Sequence, residues 1–267
     1  VTSIGPSAFD SCGNLAKISL PVALTSIGDS AFKACTGLTD VNYAGTQQQW
    51  DQIQIGSADN GYLKNAAIHF NSGVNDPKNL YDYQEKNGTI EITKYKGTDT
   101  EATVPETIDN KAVTSIGNEA FFSCQNLTKI TLPTGITSIE DGAFRSCTGL
   151  TQINLPTGLL NLGDGAFKDC TGLTQMDLPA GLTNMGFSVF RGCTSLAQIS
   201  LPTSISSIKD GAFADCIGLK KISIPTGVTS IEDGAFTGCS SLSEINLPVG
   251  LNSIGDAAFQ NCAGLTD

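Results

Sequence analysis

The stretch "LTKITLPTGITSIEDGAFRSCTG", Leu127 to Gly149, is followed at once by "LTQINLPTGLLNLGDGAFKDCTG". The same scheme returns around Leu173, Leu196, Leu219 and Leu242, and two earlier copies centre on Leu15 and Leu38. The nine cysteines mark the period: from Cys124 to Cys262 each follows the last by 23 residues, and Cys12 and Cys35 keep the same step. A fixed step of this length identifies a repeat architecture before any other property is considered.

Each position of the unit has a physical role. "L-x-x-I-x-L-P" alternates apolar and polar residues as a short half-buried strand does, and proline stops it because proline has no N–H for a ladder. A glycine turn leads to a second extended piece, "ITSI". In "EDGAFRSC", Ala143, Phe144 and Cys147 have helix-like spacing, predicting one or two helical turns with Asp141 as the cap. A small residue (Gly149, Gly172 or Asn126) then turns the chain into the next strand. One unit cannot bury Leu127, Ile130, Leu132, Ile136, Ile139, Phe144 and Cys147 alone. Stacked units can, with equivalent strands paired in parallel about 4.8 Å apart. The expected fold is a leucine-rich-repeat-like solenoid of short parallel strands, extended pieces and short helical segments.

The unit "L-x-x-I-x-L-P…V/I-x-x-I-G/E-D-x-A-F-x-x-C" resembles the BspA-like leucine-rich repeats of bacterial cell-surface proteins. It departs from the mainstream leucine-rich repeat, whose Asn or Cys follows the strand closely; here Pro133 and Gly135 occupy that place. The resemblance implies an extracellular or surface location and adhesion to a protein or glycan on a host or neighbouring cell.

Between Cys35 and Cys124 the repeat lapses. Residues 1–70 read as the end of one array, closed by a helix at 46–53 with Thr46 as its cap and by a strand at 66–70, with Trp50 plugging the core. Residues 71–80 read as a linker. Residues 81–267 read as a second array opened by a hairpin with Asn87-Gly88 in its turn, and Val104-Pro105 stands where Leu-Pro is usual. The chain starts and stops in mid-repeat, so it reads as a piece of a longer protein.

The net charge is −11, and the 15 Lys and Arg are scattered. That balance argues against nucleic acid, whose binding neutralises phosphates with clustered basic residues. No apolar run approaches the ~18 residues of a membrane helix. Parallel cysteines about 4.8 Å apart are too distant for the ~3.8 Å Cβ separation of a disulfide, and a straight ladder does not converge as zinc ligands must. The thiols read as buried, idle packing. Asp29, Asp141, Asp164, Asp210, Asp233 and Asp256 share one position; capping suits them better than calcium, which draws on six or more oxygens from a curved loop. His69, the only histidine, has no second histidine or nucleophile motif beside it and reads as structural. No catalytic, cofactor or metal site is expected.

A partner would meet the outward strand positions: Lys129, Thr131, Gln152, Asn154, Gln175, Asp177, Gln198, Ser200, Lys221 and Ser223. In "LTNMGFSVFRGC" Phe187 replaces the usual Asp, and this apolar side chain is a candidate contact. The leading expectation is a non-enzymatic surface or secreted adhesion protein. The alternatives are a structural spacer projecting other domains and a carbohydrate-binding accessory module.

Overall fold

The computed structural model describes residues 1–70 and 77–266. The chain divides into two compact units, Val1–Asn79 and Leu80–Asp267. Most of the expected linker, residues 71–76, lies outside the described residues, and Pro77–Leu80 is a short helix. Both units are solenoids of parallel strands in which equivalent repeat positions pair.

In the second unit three rows run along the solenoid. The first is made of the strands after each leucine: Lys129–Thr131 pairs with Gln152–Ile153, and Gln175–Asp177 with Gln198–Ser200. The second row holds the "x-x-S-I" pieces, with Ser138–Ile139 beside Asn161–Leu162 and Asn161–Leu162 beside Asn184–Met185. An antiparallel hairpin, Tyr81–Lys86 with Thr89–Tyr95, joins the head of this row. Its turn places Asn87 at φ +54° and Gly88 at φ +81°, the left-handed pair that a tight two-residue hairpin demands.

The third row differs from the sequence expectation. "EDGAFRSC" is a run of successive β-turns, closed by bonds from Ala143 N to Glu140 O, Arg145 N to Gly142 O and Cys147 N to Phe144 O. Gly142 at φ +59° and Ser146 at φ +60° break any helix into these turns. The alternate amides point along the solenoid: Gly142, Phe144 and Ser146 donate to Asp164, Ala166 and Lys168 at 2.8 Å each. Local i→i+3 bonds are common to a helix and to stacked turns, so apolar spacing alone does not separate them.

This turn row is the spine. Its turn-to-turn bonds continue without interruption from Glu119 N–Asp141 O to Gly238 N–Gln260 O. The strand rows are segmented: the first breaks after Gln152–Ile153 and after Gln198–Ser200, and the second after Asn184–Met185. Inside the spine, phenylalanines stack from Phe121 to Phe259, all buried but the half-buried Phe259, with centroids 5.0 to 5.7 Å apart. Each near-parallel pair adds about 0.5–1.5 kcal/mol beyond its buried area. The widest gaps, 5.7 and 5.6 Å, flank Phe190 in the one unit that departs from the motif. Tyr95 of the hairpin heads the stack, 5.1 Å from Phe121, and its amide donates to Ala120 O as a preceding phenylalanine would.

The first unit repeats the scheme in small. Phe9 stacks on Phe32 at 5.0 Å. The helix Gln47–Trp50 carries a capping box between Thr46 and Gln49, and the strand Ala67–Phe70 pairs with Asp40–Tyr43. Trp50 is half-buried against Tyr43 and Phe70. Asn60 does what a further turn would do. Its buried side-chain oxygen accepts from Phe32 N, and its amide donates to Gly28 O and Gly56 O.

Candidate binding face and buried thiols

The thiols form a ladder of their own. Cys147, Cys170, Cys193, Cys216, Cys239 and Cys262 each donate, at 3.0–3.1 Å, to the carbonyl of the phenylalanine 26 residues earlier. Cys35 does the same with Phe9 O at 3.0 Å. A thiol donating to a fixed carbonyl in an apolar layer resists ionisation. Burial pushes Cys170 and Cys239 up to about 12 and raises Cys193 and Cys216 strongly. Two cysteines correct the expectation of uniform burial: Cys12 is exposed and Cys124 is half-buried. The neighbouring Cys147 thiol lowers Cys124, against the raising effect of its burial.

The aspartates correct a second expectation. With no helix there is no cap to make; the carboxylate instead reaches along the solenoid. Asp141 accepts from Asp164 N, Asp164 from Phe187 N and Asp233 from Asp256 N, each at 2.8 Å, and Asp29 accepts from Ala58 N at 3.1 Å. The bond forms where the next turn carries glycine ahead of the residue whose N–H donates. A Cβ on Gly163, Gly186 or Gly255 would lie within 2.5 Å of the incoming Oδ1. Where Glu140 or Glu232 stands there, Asn118 and Asp210 make no such bond among the described residues. The sequence signal was therefore the glycine that the following turn carries at this place, whatever residue comes after it.

Among the described residues no three His, Cys, Asp or Glu side chains gather as a metal would require. His69 pairs with Asp40 at the surface, Nε2 to Oδ1 at 2.7 Å. No helix among them is long and apolar enough to cross a membrane.

All ten strand positions singled out from the sequence lie exposed on the outer side of the first row, from Lys129 to Ser223. They are not equivalent. Between Gln152–Ile153 and Gln175–Asp177 the ladder is open, and the Thr174 amide lacks the bond to the preceding turn that Thr151 and Ala197 make. A cleft of about 480 Å³ occupies the gap, lined by Gln152, Asn154, Gln175 and Asp177 with Thr151, Ile153, Leu155 and Thr174. Lys129 and Thr131 lie to one side of it and Gln198, Ser200 and Ser223 to the other. Lys221 is paired with Glu244 at 2.6 Å. Phe187 sits apart on the turn row, 49% exposed, with the Lys209 amine 6.0 Å from its ring centroid.

Residues 1–71, 100–220 and 163–267 match the BspA type leucine-rich repeat region, in six copies. The chain belongs to that family. A leucine-rich repeat protein of T. pallidum is 36% identical, with 70% of this chain and 89% of that chain covered and a TM-score of 0.68. One from Eubacterium ventriosum shares the fold at 24% identity and TM-score 0.58, covering 97% of this chain and 80% of its own. No curated protein matches the BspA-type chain in sequence.

Proposed function

We propose that this BspA-type chain is a non-enzymatic binding protein of the bacterial cell surface, adhering to a protein or glycan through the first strand row. The observation that carries the reading is the cleft between Gln152–Ile153 and Gln175–Asp177. A break in a ladder that repetition would otherwise close exposes unpaired backbone groups beside two glutamines, an asparagine and one carboxylate. Amides present both donors and acceptors, which suits the hydroxyls of a glycan or the main chain of an extended peptide.

Membership of the family supports the surface location. The long exposed polar row accords with a scaffold that meets its ligand across an extended surface. The test is a binding screen of the chain against extracellular-matrix proteins and a glycan array, repeated with Gln152→Ala and Gln175→Ala combined. A hit weakened at least about tenfold by the double variant supports the cleft. No binding across both panels sinks the adhesive reading and favours the spacer.

A further inference from the structure

The turn row of the first unit meets a loop and a short helix in place of another repeat turn. Ser30 N donates to Ala58 O at 2.8 Å and Ala58 N to Asp29 Oδ1 at 3.1 Å. The buried Asn60 side chain ties the loop to Phe32, Gly28 and Gly56. The helix Gly61–Asn65 then buries Leu63 completely. Between this frame and Lys33 and Ala34 lies a hollow of about 610 Å³, within the ~300–1,000 Å³ of small-ligand sites.

Tyr62 lines that hollow and is 41% exposed. It differs from the other four tyrosines. The hydroxyls of Tyr43, Tyr81 and Tyr83 donate to Val22 O, Thr103 O and Asp109 Oδ2, and Tyr95 stacks on Phe121. Tyr62 has neither a ring stack nor a hydroxyl bond among the described residues. Polar side chains surround it: Ser57, Asp59, Lys64 and Asn65, with Lys33 paired to Asp59 at 3.7 Å. Ser57, Lys64 and Asn65 make no side-chain bond among the described residues. The rim therefore offers hydrogen-bond donors and acceptors together, around a single aromatic ring.

We propose that this hollow binds a sugar ring of a glycan, the pyranose face lying on Tyr62 and the hydroxyls meeting Asp59, Lys64 and Asn65. A pyranose turns a face of C–H bonds to an aromatic ring and carries hydroxyls around its edge, each both donor and acceptor. One ring inside a polar rim matches that pattern. A peptide would draw on a free strand edge or on further apolar anchors. The hollow has neither: none of its lining residues lies in a strand, and apart from Ala34, Gly61 and Tyr62 all are polar. The loop and helix are tied to the neighbouring turn by buried bonds, so the groups are held in place before a ligand arrives, which limits the ordering cost of binding. The inference requires the chain to recognise glycans but does not rest on the strand-row cleft.

The test is retention of the whole chain on an array of neutral and acidic oligosaccharides, followed by fluorescence anisotropy with a retained oligosaccharide carrying a fluorophore. The expected result is retention on glycans that share one terminal sugar. Affinity should fall at least about tenfold in Tyr62→Ala and in Gly61→Gln. A Cβ at Gly61 would meet nothing within 4 Å, so the longer side chain occupies the hollow without a clash. Thermal melts of both variants should match the parent, because both positions are exposed. Gln152→Ala with Gln175→Ala, on the strand row, should leave binding unchanged. No retention by any glycan, or a glycan indifferent to either Tyr62→Ala or Gly61→Gln, overturns the proposal. So does a linear peptide library, panned in parallel, that yields Tyr62-dependent peptides while the glycan array stays blank. A glycan lost only in the strand-row variant overturns the hollow while supporting the cleft, so the two readings fail separately.

Discussion

Raising the pH from 8 to 10 should destabilise the second unit far more than the first. Six thiols there have folded pKa values above the ordinary 9.0: the deeply buried Cys147, Cys170, Cys193, Cys216 and Cys239, and Cys262 in the last turn. For Cys147 the neighbouring Cys124 thiol is the larger cause, followed by burial; for the others burial leads. A raised folded pKa means that the stabilisation is complete below pH 9 and is lost as the pH climbs towards the folded value. Between pH 8 and 10 each deeply buried thiol favours the unfolded chain by about 1.3 kcal/mol, and the five of them together by about 7 kcal/mol. That is comparable with the whole stability of an ordinary domain, about 5–15 kcal/mol. The first unit has one thiol of this kind, Cys35, and holds the chain's only tryptophan, Trp50. Urea titrations at pH 7, 8, 9 and 10 should therefore show the far-ultraviolet circular-dichroism midpoint collapsing while the Trp50 fluorescence midpoint moves little. Replacing Cys170, Cys193 and Cys216 with alanine should lower stability at pH 7 yet flatten its alkaline decline. A second-unit midpoint that stays level to pH 10 would refute the thiol-ladder account.

Gly163→Ala should cost at least about 2 kcal/mol, because the new Cβ would lie 2.5 Å from Asp141 N and Oδ1. Gly158→Ala, whose nearest neighbour is 3.8 Å away, should be close to neutral in the same thermal melts. Ala34→Gly should raise stability by about 0.5–1 kcal/mol, since Ala34 sits at φ +52° where glycine is unstrained; an unchanged or lower urea midpoint contradicts this. Burial alone would raise the Glu91 pKa, but hydrogen bonds from Gln84, Lys86 and Ser115 outweigh it and hold the carboxyl below its ordinary 4.5. Its contribution is therefore present above pH 4.5 and lost as the pH falls through the lower folded value. Glu91→Gln should cost about 1–3 kcal/mol at pH 7 and shed part of the acid sensitivity of melting below pH 4.5.

The period, the strand positions and the burial of Phe144 and Cys147 were legible because they follow from apolar spacing, which a sequence displays directly. Asp141 was misread because its bond runs to Asp164 in the next turn, a contact that spacing within one unit does not contain. The left-handed residues at Gly142 and Ser146 were visible in principle: Gly, Ser, Asn and Asp recur at those two positions, and a helix has no use for them. Cys124 stands in the first turn of the array, with the hairpin in place of a preceding repeat, and is only half-buried there. The opening beside Gln152 and Gln175 left no trace in composition, since the residues on both sides fit the repeat. It arises from how successive turns stack, with the spine bonds kept and the strand bonds released.

Residue-resolved amide hydrogen exchange on the whole chain tests that division most directly. Phe144, Phe167, Phe190 and Phe213 amides, all bonded along the spine, should exchange slowly and alike. Thr174 should exchange much faster than its repeat equivalents Thr151 and Ala197, whose amides are bonded to the preceding turn. Equal protection of Thr151, Thr174 and Ala197 would mean a closed strand row, and with it no cleft for a ligand to enter.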